Sequence, residues 1–441
     1  MKRILFFLCC LTTLTASFAQ KPFSPAPGAT QGQRVVILNA TAHLGTGEVI
    51  ASSIIELENG KIKSIDNYPT RKNQDFQNAT VIDAAGKHAY PGLIALNSTI
   101  GLVEVSAVRA TRDRDEVGSL NPNIRSLIAY NTDSHVIPTV RSNGILMAQV
   151  VPQGGGMVSG QSSVVQLDAW NWEDAAYKAD DGLFLNFPQM QTYSWEEDKM
   201  KPNEQYAEQH ATLYQLLDEA KAYLATDKPT TTNLKLEALR GLFDKSKRLY
   251  VRCYFAKEII AAVQLANKYG MNLTIVGAND AWQVLDLLKQ NNVSVIINRT
   301  HQLPNRNDED VYLPSRLPKI LKDAGILYAI ATGDGWDAYW DMRNLPFEAG
   351  TAAAFGLSKE EALQAITINP ARILGIDKTT GTLETGKDAT LLISSGDLLD
   401  MSNSHIERAF IQGREVDLDN KQKALYKKFM AKYGLPPSNQ Y

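Results

Sequence analysis

The chain has 441 residues, with 45 Lys and Arg against 48 Asp and Glu, for a formal net charge of −3 at pH 7. Hydrophobic residues make up 44% and charged residues 21%, which supports a full buried core and excludes a disordered tail, a collagen-like chain and a coiled coil. The near-neutral balance, without a long basic run, argues against nucleic acid as partner and for a compact protein facing a small molecule.

Residues 1–19 read as a signal peptide. Lys2 and Arg3 precede an apolar run of about eleven residues, and Ala16, Ser17 and Ala19 supply the small residues for cleavage after Ala19. The run is shorter than the roughly 20 apolar residues of a membrane span, and Cys9 and Cys10 lie inside it, not after a lipobox. The expected location is periplasmic or extracellular, through a Sec-type pathway. Cleavage leaves Cys253 alone, so an intramolecular disulfide is excluded and stability must come from packing.

Residues 20–33, rich in Pro, Gly, Ala and Gln, read as a flexible leash. Short β-runs follow at 34–38, 53–57, 61–65 and 81–83, with Glu58-Asn59-Gly60 as a hairpin turn. From Tyr90 onward, apolar strands alternate with helices. The strands fall at 93–96, 145–151, 250–255, 273–276, 293–297 and 327–331, and the helices at 257–269, 281–290 and 362–374. Ser358 to Glu361 forms a capping box before the last helix, and Gly375 ends it. Residues 164–181, with Trp170 and Trp172, interrupt the alternation, as does a polar, helix-prone insertion at 189–247. β-runs return at 389–393 and 406–412, and a basic amphipathic helix spans 421–433. The predicted organisation is a β-sandwich domain of 34–88 plus 382–420, a barrel of 89–381, and a helix and tail at 421–441. About six barrel strands are legible, two short of the eight of a closed barrel.

Three segments carry a resemblance. Ala89-Tyr-Pro-Gly-Leu-Ile94 after Val81–Lys87, the stretch from Leu357 through Asn369-Pro-Ala-Arg-Ile-Leu-Gly375, and Gly381-Thr-Leu-Glu-Thr-Gly-Lys-Asp-Ala389 lie in order and at the right distances. Together they resemble the amidohydrolase superfamily, in its imidazolonepropionase-like branch, over nearly all of the mature chain. The resemblance implies an α/β fold, a (β/α)8 TIM-type barrel with a discontinuous small β-sandwich. It also implies metal-dependent hydrolysis of C–N bonds other than peptide bonds, with one or two divalent metals activating water at the C-terminal face of the barrel. The family's ligands are a His-x-His pair after the first strand, a bridging Lys or Glu, two later His residues and an Asp after the last strand.

At those positions this sequence departs from the pattern. Asn97 and Thr99 occupy the two His positions, Arg252 stands where a strand His is expected, and the next strand runs into Gly277-Ala278. An amide and a hydroxyl do not replace imidazoles for zinc, and a guanidinium repels a cation. No metal is therefore expected, with Asp334 a ligand only if one is bound; a divalent metal such as zinc is the expected cofactor if the chain is active. Asp334, in Thr332-Gly-Asp334, is the candidate catalytic residue, or else a carboxylate held by backbone N–H groups or by Arg252. Asn97, Thr99, Arg252, Tyr254, His301 and Trp336 are the candidate pocket residues, His301 being the histidine expected beside Asp334. Gly154-Gly155-Gly156 lacks P-loop spacing and reads as a rim loop. The mixed run of Arg109, Arg112 and Arg114 with Asp113, Asp115 and Glu116 is either a solvated face or a contact for a substrate carboxylate or another subunit.

The expected function is that of an exported family protein with a degraded metal centre, binding a small molecule or serving as non-catalytic partner of an active paralogue, in a homodimer or heterodimer. One alternative is an active mononuclear amidohydrolase for cyclic amides or dipeptides, built on Asp334 with His301 and Glu104. Another is a glycan- or surface-associated binder using Trp170, Trp172, Tyr193 and Trp195.

Overall fold

The computed structural model describes residues 26–71, 76–194, 196–225, 231–333, 335 and 337–436. The expected signal peptide, Trp195, Asp334 and Trp336 lie outside the described residues.

The barrel is one eight-stranded sheet whose spatial order follows the chain. Its strands are Leu93–Ser98, Ile145–Val150, Val158–Gln166, Ala176–Asn186, Arg248–Cys253, Leu273–Gly277, Ser294–Ile297 and Tyr328–Ile330. Six match the sequence reading; the other two come from the stretch read there as loop and interruption. Val158–Gln166 runs antiparallel to both neighbours, whereas the other pairs are parallel. Residues 151–157 permit a hairpin but are too few for a helical crossover, which takes a dozen or more.

The first and last strands do not pair directly. Residues 365 and 366 fill the seam: Ile330 N–H donates to the Ala365 carbonyl at 3.1 Å, and Ile94 N–H to the Ile366 carbonyl at 3.0 Å. The helix that follows, Ile368–Leu374, buries Ile368, Ile373 and Leu374 against inward-facing Ile94, Met147, Phe184, Tyr250 and Ile296. The barrel interior is thus packed with side chains and is not a pore, and chemistry is confined to the rim.

A second eight-stranded sheet draws on both ends of the chain. Arg34–His43, Val49–Glu58, Lys61–Asn67, Ala79–Asp83 and His88–Pro91 join Leu391–Ser394, Ile406–Ile411 and Arg414–Glu415. The expected hairpin at Asn59-Gly60 forms, with φ of 54° and 78°. Part of the segment read as a leash is held in place. Gly28 N–H donates to Asp168 Oδ2 at 2.9 Å, and Gln31 Oε1 accepts from Gly60 N–H at 2.8 Å. Among the described residues, no helix is long and apolar enough to cross a membrane.

A histidine pair within this second sheet packs against the helix Lys359–Gln364. His43 Nδ1 lies 2.6 Å from Glu360 Oε1, and its Nε2 lies 3.0 Å from His88 Nδ1. The His43 ring stacks on Tyr90 at 4.4 Å. Burial, and then the neighbouring His43, hold the His88 imidazole below its ordinary value, against the pull of Asp397. A depressed histidine is protonated first in the unfolded chain, so stability is lost as pH falls below the ordinary value of about 6.5. Scanning fluorimetry between about pH 7.5 and 5.5 should show a falling melting temperature, with a shallower slope in His88→Gln. An unchanged slope in that variant would remove His88 from the account.

Candidate functional site

The rim is organised around Arg252. Along Leu93–Ser98 the pairing register shifts from Ala95 opposite Ala148 to Ser98 opposite Val150, so one extra residue bulges out of the strand. Asn97 sits in this bulge at φ 54°, a left-handed conformation that Asn tolerates better than most residues. Arg252, near the end of its own strand, lies in register with Asn186. Its guanidinium donates to Asn97 Oδ1 at 3.1 Å, to Asn186 Oδ1 at 3.2 Å and to the Pro152 carbonyl at 3.2 Å. The guanidinium carbon lies 4.6 Å from the centre of the Phe184 ring, which stacks on Tyr250. One cation thereby ties together four strand ends, and it is only 7% exposed.

A polar chain descends from this point into the barrel. Asn97 N–H donates to Gln149 Oε1 at 3.4 Å, and Gln149 Nε2 donates to Asp181 at 2.9 Å. Asp181 also accepts from Tyr250 at 2.9 Å and Ser162 at 2.8 Å. Its complete burial pushes the carboxyl above the usual aspartate range, against the pull of those donors.

A cavity of about 670 Å³ opens beside Arg252 and Tyr254, with Arg114, Asp115, Gln153, Gly154, Gly155 and Asn186 in its wall. Asn186 Nδ2 fixes the glycine loop by donating to the carbonyls of Gly154 at 2.8 Å and Gly156 at 2.7 Å. A Cβ at Gly154 would lie 2.9 Å from the Asp115 Cβ, so this close approach of loop and charged segment depends on glycine.

The structure therefore brings Asn97, Arg252 and Tyr254 together with the glycine loop and the Arg114–Asp115 segment. Thr99 is buried just past the first strand, where its carbonyl accepts from Leu102 N–H, and is not part of the cavity wall. His301 faces elsewhere. Its Nε2 lies 2.5 Å from Thr351 Oγ1 and its Nδ1 3.4 Å from Glu348 Oε1, which binds it to the helix Leu345–Ala354. Glu104 accepts from His135 N–H at 2.8 Å, at the start of the helix Val136–Arg141. Asn186, Gln153, Gln149 and Asp181 were not singled out from sequence. The one available signal was amide and carboxyl groups within or beside strongly apolar runs.

The donor chemistry of the rim tests whether it suits a divalent cation. Arg252 can only donate, so Asn97 must turn its oxygen toward it, which leaves Asn97 Nδ2 buried with no partner among the described residues. Gln153 Nε2 is likewise buried with no partner among the described residues. The unspent groups are N–H donors, which suit anions and carbonyls, and beside them lies a cation. Among the described residues, no three His, Cys, Asp or Glu side chains are grouped to hold a metal. These residues do not fit one.

Comparison with known proteins identifies the family. The sequence matches the model of the amidohydrolase family over residues 195–416. The chain belongs to the amidohydrolase family. That match begins after the strand carrying Asn97. The human N-acetylglucosamine-6-phosphate deacetylase is 36% identical over 63 residues, which span 14% of this chain and 14% of that protein. Among solved structures, an amidohydrolase from Thermotoga maritima MSB8 is 24% identical, with a TM-score of 0.75 over 87% of this chain and 99% of its own. A molinate hydrolase (14% identity, TM-score 0.56, covering 88% and 96%) shares the fold. So does a prolidase complexed with N-methylphosphonate-L-proline (15%, TM-score 0.54, covering 87% and 99%). These likenesses agree with the expected TIM-type barrel joined to a sheet domain.

Proposed function

We propose that this family member is exported and uses its barrel rim to bind a small anionic molecule, as a binder or as the non-catalytic partner of an active relative, with a metal centre that has been lost. The observation that carries this reading is the buried Arg252 guanidinium hydrogen-bonded to Asn97, the residue standing where the family resemblance places an imidazole. A divalent ion at that point would meet a like charge in a site with little water to screen it.

The ligand class follows from the cavity wall. Two guanidinium groups, Arg114 and Arg252, face one carboxylate, Asp115, and the spare Gln153 donor adds a neutral N–H. Planar guanidinium groups suit a carboxylate or phosphate, and the volume lies within the roughly 300–1,000 Å³ of ordinary ligand pockets. Export rests on the composition of residues 1–19 and is checked by fractionating cells that make the full chain.

Elemental analysis of protein purified from metal-supplemented medium tests the central point. The expected result is far less than one zinc, iron or manganese per chain, and no chelator-sensitive hydrolysis of cyclic amides or dipeptides. Succinate or phosphate should raise the melting temperature, and glucose should not. One metal per chain, with turnover lost in Asp334→Asn, would replace this reading with the mononuclear hydrolase that the family's usual chemistry supports.

A further inference from the structure

The helix Lys421–Tyr433 has 13 residues and buries none of them. Isolated helices shorter than about 12–15 residues are marginal in water, and most helices in proteins persist by packing an apolar face. Side-chain hydrogen bonds join the start of this helix to the barrel. Asn420 Nδ2 donates to Ser142 Oγ, and Gln422 Oε1 accepts from Thr139 Oγ1, both at 2.9 Å. Further along, Leu425, Phe429 and Tyr433 recur every fourth residue as an exposed apolar stripe. Lys428 and Lys432 lie beside that stripe, and the helix holds five lysines with no carboxylate.

A groove of about 1040 Å³ elsewhere on the molecule has the opposite character. Met200, Phe255, Trp282 and Leu313 form apolar wall, with Met200 and Trp282 exposed. Five carboxylates line it against Lys257 and Arg306, but the side chains of Glu258, Asp280 and Glu309 are almost fully covered, and Arg306 pairs with Asp280, Glu309 and, at 4.0 Å, Asp308. The open acidic rim is therefore Asp308, whose side chain is 87% exposed, with Asp310, which is itself paired with Arg316. The groove is framed by the segments that leave Arg248–Cys253, Leu273–Gly277 and Ser294–Ile297. The helix instead stands on Val136–Arg141, which leads into the beginning of Ile145–Val150. Helix and groove therefore sit at opposite ends of the barrel, so the helix of one molecule and the groove of another are the surfaces free to meet.

We infer that the acidic groove receives the basic terminal helix of a second copy of this chain. The stripe of Leu425, Phe429 and Tyr433 enters between Phe255, Trp282 and Leu313, and Lys428 and Lys432 face the carboxylate rim. Reciprocal docking about a two-fold axis gives a closed dimer, and one-way docking gives an open chain. The charged part of the contact weakens with salt.

Sedimentation of the full chain over a range of concentrations, at low and high salt, tests this. Self-association is expected at low salt, weakened about tenfold or more by Lys428→Glu with Lys432→Glu, the scale of a lost rim charge pair or two. Asp308→Lys should weaken it in the same direction, and an equimolar mixture of the two variants should recover part of the loss, because the reversed helix then meets a reversed rim. Both variants alter exposed side chains and should melt like the parent. A chain that stays monomeric at every concentration, or associates equally well with the helix reversed, overturns the inference. So does a monomeric chain whose helix binds phosphatidylglycerol vesicles and loses them on lysine reversal, which would assign the helix to a membrane surface.

Discussion

Replacing Asp168 with Ala is expected to reduce the free energy of unfolding by about 3–5 kcal/mol, the range for breaking a buried ion pair by removing one partner. Asp168 lies at the junction of three parts of the chain. Arg141, from the helix Val136–Arg141, donates to its Oδ1 at 2.7 Å; Arg414, from the second sheet, reaches Oδ2 at 3.3 Å; and Gly28 N–H donates to Oδ2 at 2.9 Å. The Arg141 and Asp168 side chains are 4% and 2% exposed. Burial pushes the carboxyl up while the two guanidinium groups pull it down, and the same burial lowers Arg141. Without the carboxylate, two cations face each other out of water. Urea denaturation at neutral pH measures the loss, and adding Arg141→Met should recover part of it by removing the stranded charge. A loss under about 1 kcal/mol would mean that water reaches this junction.

The alternation of apolar strands and amphipathic helices made the barrel legible, because parallel strands buried on both faces read as continuous Val, Ile and Leu runs. Val158–Gln166 does not. Its sequence is mostly Ser, Gln and Gly around three valines, yet all of it is buried. Its polar side chains find partners far away in sequence, Ser162 on Asp181 and Gln161 on the Pro122 carbonyl. Hydrophobic periodicity cannot register a strand whose burial is satisfied by hydrogen bonds. His301 illustrates the converse. Its place after a strand puts it on the segment that leaves Ser294–Ile297 but does not reveal its partner: Glu348, on a helix later in the chain, takes the backbone N–H groups of both Thr300 and His301 and holds the imidazole against that helix. The arginine at the rim and the glycine loop were visible, because both are residue types out of place for their surroundings. Asn186, which locks them to each other, is an ordinary residue until the fold shows both of its neighbours.

Arg252→Met is the substitution expected to alter function most. Methionine fills much of the space of the aliphatic stem, so the variant separates charge from packing. It leaves Asn97 Oδ1, Asn186 Oδ1 and the Pro152 carbonyl without the donor they share. At about 1–3 kcal/mol for each unsatisfied buried acceptor, and with water able to reach some of them from the cavity, a net loss of about 2–3 kcal/mol is expected. Asn186 would still bond the glycine loop, so the cavity wall should persist while its central cation is gone. Binding of a small carboxylate or phosphate should then vanish by calorimetry, although the protein remains folded by circular dichroism. Zinc uptake should stay absent, since removing the repulsive charge supplies no ligand in its place. Retained anion binding in a folded variant would move the site from Arg252 to Arg114. Uptake of one zinc per chain would instead reveal a nearly complete ligand set that the guanidinium alone had been blocking.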